Sequence, residues 1–300
     1  MIVDAHIHVR EDKHCSKEWI DALLAGRKNL PIDKTSLEKI MPISQEEWLN
    51  ELKEAGIDKA VVLAADHTRM WKTKVPDEYV AEFVSKDPDM LVGYSSVEPL
   101  DEAGRFKKGA LDEVERAVNE YGFKGLKLLP SYGNYYANDK VAYPLYHKCL
   151  ELGIPVLFHI SITKVPKSPI KYSDPRLLSD VASDFPDLKI GIAHLGGRGW
   201  AEMCLALLSK HENMYADISG AMAYSPTWIT WNLVLAKEFR VLDRVMFGTD
   251  GPGIGRPPKR YVNWCRTKLN ETAKRSGWPT FTEEEINGIL GNNAVRILKL

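Results

Sequence analysis

Short apolar runs recur along the chain at near-regular intervals. The first is Ile2–Val9, and seven more follow at Lys59–Ala65, Leu91–Val97, Phe123–Leu129, Pro155–Ile160, Lys189–Leu195, Met214–Ser219 and Arg244–Thr249. They are rich in Val, Ile, Leu and Phe, and Gly, Pro, Asn or Asp usually flanks them. Such runs fit strands buried on both faces of a parallel sheet. Helical periodicity fills the intervals. Ser44 and Glu47 predict a capping box ahead of a helix over Glu46–Ala55 that stops at Gly56. Ala110–Tyr121 stops at Gly122 and Tyr143–Leu152 at Gly153, and Pro175–Phe185, Trp200–His211 and Pro226–Phe239 follow the same scheme. Tyr261–Arg275 and Glu283–Leu300 also have helical patterns.

Strict βα alternation implies right-handed crossovers and a parallel sheet. Eight units in one domain favour closure into a TIM (β/α)8 barrel over an open doubly wound sheet. No G-x-G-x-x-G turn follows the first strand, and the Gly251–Gly255 segment contains Pro252, which makes it a weak phosphate loop. We therefore expect one domain over residues 1–300, with a long loop insertion at 10–43 and C-terminal helices over 261–300. The other long segments, 66–76, 161–174 and 251–280, also follow strands. In a barrel all four lie on the C-terminal face, where active sites sit.

The formal net charge of −1 gives no basic excess for nucleic acid or an anionic membrane. The partner expected is a small-molecule substrate, and a homo-oligomer stays open. Cys15, Cys149, Cys204 and Cys265 are scattered, without a C-x-x-C pair. A reduced, cytoplasmic setting fits that spacing better than a disulfide framework. No apolar run reaches transmembrane length, and no basic-then-apolar leader opens the sequence.

The candidate chemistry lies at the strand ends. Side chains on a strand alternate faces, so Ile2, Asp4, His6 and His8 are expected to point into the barrel while Val3, Ala5, Ile7 and Val9 meet the helices. Two imidazoles two residues apart can chelate one ion, although H-x-H alone reads equally as a pair of hydrogen-bonded histidines. The pattern gains specificity because strand five ends in His159, strand six in His194 before Gly196-Gly197, and strand eight in Asp250. Five ligand-type residues at one depth of one barrel point to a metal site.

Taken together, Asp4-Ala-His6-Ile-His8, His159, His194 ahead of a Gly pair, and Gly248-Thr-Asp250 resemble the amidohydrolase superfamily. The branch they resemble is the amidohydrolase-related group that includes aminocarboxymuconate semialdehyde decarboxylase. Ile289–Leu298 is similar to that group's closing helix. The resemblance implies that His6, His8, His159 and Asp250 ligate the ion. It makes His194 a contact to the reacting water or substrate, and Asp250 also the proton-shuttling acid/base. Imidazoles with a carboxylate suit Zn²⁺ first and Mn²⁺ second. Asp4 would orient a ligand or make a buried structural hydrogen bond. In binuclear members of the superfamily a strand-four lysine is carboxylated and bridges two ions, and Lys127 occupies a comparable position. The resemblance favours one ion, with Lys127 an ammonium pairing with a substrate carboxylate, Asp4 or Glu98.

Asp66, His67, Arg69 and Trp71 follow strand two and read first as a solvated loop and second as a lining of the pocket. Glu98 reads as an inward-facing acid or a salt-bridge partner. The aromatics of Ser131–Tyr136 would contact a ring or pack their own loop, and Arg198 would bind a carboxylate or stand exposed at a helix start. His14, His147 and His211 read as ordinary surface or partly buried residues. The expected activity is hydrolysis of a C–N or C–O bond of a small molecule by a metal-activated water. The alternative is non-oxidative decarboxylation or hydration of an unsaturated or aromatic acid, and a non-catalytic metal-binding protein ranks third.

Overall fold

The computed structural model describes residues 1–27, 44–163, 165–220, 225–252 and 257–300. Eight parallel strands form one sheet in sequential order. They are β1 (Val3–His8), β2 (Lys59–Leu63), β3 (Leu91–Ser96), β4 (Leu126–Leu128), β5 (Val156–Phe158), β6 (Ile190–Ile192), β7 (Met214–Asp217) and β8 (Val245–Met246). Each lies inside the apolar run that predicts it. The segment at and beyond β8 closes the barrel onto β1: Ala5 N donates to Phe247 O at 3.0 Å, and Asp250 N donates to His6 O at 2.8 Å.

Two apolar layers follow from alternation along the strands. Leu126, Leu128, Val156, Phe158, Ile190 and Ile192 face outward and pack with helix residues such as Trp48, Phe83, Val114, Cys149, Leu205 and Leu233. Between them, Val61, Leu63, Tyr94, Leu157, Tyr215 and Met246 face the barrel interior. Ala294 joins this inner cluster with Val295 and Leu298 packed against it, so the helix Asn293–Leu298 plugs the barrel. An added Cβ at Gly125 would stand 2.2 Å from the Tyr94 ring. The space that glycine leaves is filled by Tyr94.

β1 breaks the expected alternation. Asp4 stands opposite Ala60 and Ile7 opposite Val62, so three steps of β1 run against two of β2. This is a β-bulge, which re-aims side chains. Val3 and Ala5 therefore join the interior cluster, whereas Ile2, Ile7 and Val9 pack with the helices. The expected face shared by Ile2, Asp4, His6 and His8 is corrected accordingly. Asp4 braces the bulge instead: its Oδ1 accepts from His6 N at 3.2 Å and Thr249 N at 2.9 Å, and its Oδ2 accepts from Thr249 Oγ1 at 2.7 Å.

The Ser44–Glu47 capping box is present ahead of Gln45–Glu54. Ala110–Tyr121 and Tyr143–Leu152 end at left-handed Gly122 and Gly153, the conformation that glycine adopts without a Cβ clash. Among the described residues, two helices of more than a single turn carry no mark in the pattern. Asp77–Ser85 follows β2, and Lys17–Arg27 lies in the segment after β1. Residues 28–43 of that expected insertion, and 253–256 of the glycine-rich segment, lie outside the described residues. Cys149, Cys204 and Cys265 are buried, Cys15 is half-buried, and all four are free thiols. Among the described residues no helix is long and apolar enough to cross a membrane.

Candidate metal centre

The bulge places both β1 histidines at the barrel mouth. His6 Nε2 and His8 Nε2 stand 3.3 Å apart. Asp250 Oδ1 lies 3.6 Å from the first and 3.4 Å from the second. The far side of each ring identifies its tautomer. His6 Nδ1 faces Asp217 Oδ2 at 3.0 Å, and His8 Nδ1 faces the Leu63 carbonyl at 3.3 Å. Both partners only accept, so each Nδ1 carries the proton and each Nε2 presents a lone pair. Two lone pairs and a carboxylate oxygen thus converge on one point. They repel one another unless a cation lies between them. An ion with bonds of ~2.1 Å in tetrahedral geometry spaces its ligand atoms ~3.4 Å apart, and the three observed edges bracket that value. The donor set fits a divalent ion.

His159 and His194 extend the cluster from β5 and β6. His194 Nε2 faces His159 Nδ1 at 3.1 Å, and His159 Nε2 is buried without a hydrogen-bond partner. Donor atoms of His6, His194 and Asp250 all lie within 4.8 Å of one another. The five residues expected at the strand ends therefore form one chain of close contacts, His8–His6–Asp250 on one side and His194–His159 on the other, joined through His6, His194 and Asp250. Burial lowers His6 and His194 to about 4. His8 and His159 are lowered as well, again chiefly by burial. The imidazoles are neutral at neutral pH, the state that binds metal.

The backbone at two of these strand ends is strained. Asp250 has φ 59°, His194 φ 61° and Leu195 φ 46°, a left-handed region that residues with a Cβ adopt at a cost of ~1–3 kcal/mol where they do so in a site. An added Cβ at Gly248 would stand 3.1 Å from His6 Cβ, so that glycine makes room for the first ligand-type residue.

Asp217, at the end of β7, was not singled out from the sequence, and it organises the cluster. Its Oδ2 takes His6 Nδ1, while its Oδ1 accepts from His194 N at 3.0 Å and Ser219 N at 2.9 Å. Ser219 Oγ lies 3.1 Å from His6 Nδ1 and 2.8 Å from His194 Nδ1. The signal was available, because Asp217 is also a ligand-type residue at the end of an apolar strand. Burial alone would raise the Asp217 carboxyl. The His6 ring, charged at the low pH where the carboxyl titrates and hydrogen-bonded to it, together with His194 in the same state and Lys127, outweighs it and holds the group below the usual carboxylate range.

Lys127 is fully buried on β4, and its Nζ has no hydrogen-bond partner. It therefore makes no pair with Asp4 or Glu98. Burial lowers it to about 8, opposed by Asp217 and Asp250. Glu98 is also buried, and neither of its carboxylate oxygens has a hydrogen-bond partner among the described residues. Burial, then the charge of Asp66, pushes it well above the usual range.

The segment after β2 is not a solvated loop. Asp66, His67 and Trp71 are all buried. Asp66 Oδ2 meets Lys74 Nζ and Lys107 Nζ, each at 3.3 Å, and Arg69 donates to Gly133 O at 2.8 Å. Tyr132 packs its ring 4.8 Å from that of His159, and Trp19 lies 5.0 Å from Tyr132. Of the other residues, Arg198 is exposed at the start of the helix Gly197–Lys210. His14 is buried against Tyr79, His211 is half-buried and His147 is exposed.

A family model described as Amidohydrolase (Amidohydro_2) matches residues 3–300. The chain belongs to this amidohydrolase family. Among curated proteins, this amidohydrolase is 27% identical over 227 residues to 2-keto-4-carboxy-3-hexenedioate hydratase of Sphingobium sp., a match spanning 66% of each chain. Solved structures share its barrel. A TIM-barrel protein from Bordetella bronchiseptica aligns with TM-score 0.72 at 21% identity, covering 99% of this chain and 98% of the other. The 5-carboxyvanillate decarboxylase of Novosphingobium aromaticivorans, complexed with manganese and 4-hydroxy-3-methoxy-5-nitrobenzoic acid, aligns with TM-score 0.66 at 16% identity, covering 100% and 96%.

Proposed function

We propose that this amidohydrolase is a metal-dependent lyase that decarboxylates or hydrates a small unsaturated or aromatic carboxylic acid. The observation that carries the reading is the Lys127 amine, buried beside the ligand cluster with no hydrogen-bond partner for its Nζ among the described residues. An unpaired buried cation is costly. A substrate carboxylate relieves that cost, and a neutral amide or ester does not. The similarity to a hydratase, and the fold shared with a manganese-bound decarboxylase, support a lyase over the hydrolytic reading favoured by sequence.

His6, His8, His159 and Asp250 would hold one ion, Zn²⁺ or Mn²⁺, with His194 beside them. When bound, such an ion supplies Lewis acidity to a substrate oxygen. The remaining chemistry belongs to the side chains. Lys127 binds the carboxylate and fixes the acid's orientation. Asp250 and His194 would move the proton. In hydration, one of them takes a proton from water as the hydroxyl adds, and the neighbouring carbon of the double bond gains a proton. In decarboxylation the C–C bond breaks, CO₂ leaves, and a proton takes its place on carbon.

The test is a panel of unsaturated acids, aromatic acids, lactones and amides incubated with metal-loaded protein in ¹⁸O-water. CO₂ release, or water added to an intact carbon skeleton, is expected with an acid. Cleavage of a lactone or amide with label incorporated, and no turnover of any acid, would return the hydrolytic reading.

A further inference from the structure

His67 is a buried group that the proposed chemistry leaves unused. It is 4% exposed, and neither Nδ1 nor Nε2 has a hydrogen-bond partner among the described residues. Its ring lies 4.3 Å from Trp19 and 5.7 Å from Tyr132. Tyr132 in turn packs on His159. A continuous chain of ring contacts thus runs from the candidate metal ligands to His67, built by the segments after β1, β2 and β4. The backbone at His67 is tied down: its N–H donates to Thr73 O at 3.1 Å, and its carbonyl accepts from Trp71 N at 2.9 Å. Asp66 beside it is clamped by Lys74 and Lys107. The ring is therefore held in place while its own donor and acceptor go unused, and buried polar groups without partners call for an explanation.

We infer that His67 is a specificity-determining substrate contact, whose imidazole hydrogen-bonds a hydroxyl or keto oxygen on the part of the acid that lies against Trp19 and Tyr132. An uncharged oxygen suits a buried neutral imidazole better than a second carboxylate, which needs a cation in a low-dielectric site. A hydroxyl can engage either ring nitrogen, as donor to one or acceptor from the other. The inference rests on the reading of the site as one for flat carboxylic acids.

Calorimetric titration of the metal-loaded protein with benzoate and with 2-, 3- and 4-hydroxybenzoate tests it. At least one hydroxybenzoate is expected to bind about fivefold to tenfold more tightly than benzoate, the range of one good hydrogen bond. His67→Ala should cut that advantage to less than twofold while benzoate affinity holds within about twofold, and His67→Asn should restore part of it. On the wild-type protein, ¹⁵N shifts of the His67 ring should move with the preferred hydroxybenzoate and stay in place with benzoate, a readout independent of how either variant folds. Binding of benzoate with no advantage for any hydroxybenzoate, or an advantage that survives in His67→Ala, overturns the role of His67 and leaves the lyase reading standing. Failure of all four acids to bind, with no acid turned over in the substrate panel, counts against both.

Discussion

The interior of this barrel has two regions built on opposite rules. The plugged region, with Val61, Leu63, Tyr94, Leu157 and Met246 packed over Ala294, is apolar and filled by side chains. At the mouth, His6, His8, Lys127, His159, His194, Asp217 and Asp250 crowd together. There Nε2 of His6 and His8 face each other and Asp250, Lys127 Nζ and His159 Nε2 have no partners, and Asp250 and His194 hold left-handed backbone. One region supplies stability from packing. The other holds unsatisfied donors and strain, features that concentrate at functional sites. Strand β1 belongs to both, and the bulge after Asp4 is where one rule gives way to the other.

Substitutions separate the two. The largest effect should come from Asp250→Asn, which keeps the shape but removes the charge and the acid/base: turnover should fall on the order of 10²–10⁴-fold while the thermal midpoint of the ion-free protein stays close to that of the parent. Leu157→Ala should do the reverse. Denaturant titration should show a loss of about 2–5 kcal/mol, and ion content per folded chain should not change. Asp4→Ala lies between them. It leaves Thr249 N–H and the bulge N–H of His6 without their acceptor, for about 1–3 kcal/mol of stability. Ion affinity measured by competition with a chelator should weaken roughly 10–100-fold. If Asp4→Ala lowers stability alone, the bulge is a packing device rather than a support for the site.

The same division explains what was legible in the sequence. Strands and helices follow from local periodicity and caps, so all eight strands and the Ser44–Glu47 box lie where the pattern puts them. The strand-end histidines and Asp250 were legible because an ionisable residue closing an apolar run is conspicuous. The bulge was not, because it exists only in the register of β1 against β2. Alternation alone therefore puts Asp4 on the wrong face. Asp217 closes an apolar run in the same way, and the same rule reaches it. The burial of His67 and Trp71 was hidden because Trp19, which packs on both rings, comes from a helix inside a segment that reads as loop. The long segments after the strands carry the weakest periodicity and left the fewest marks.

The central claim is that the donors converging from β1 and β8 hold one divalent ion. Metal analysis by mass spectrometry, on protein loaded with Zn²⁺ or Mn²⁺ and then desalted, tests it most directly when wild type is compared with His6→Ala. We expect one ion per chain in the wild type, no added mass on Lys127, and a near-complete loss of the ion in the variant at unchanged circular dichroism. Full ion retention in His6→Ala, or two ions per wild-type chain with a carboxylated Lys127, would contradict the account.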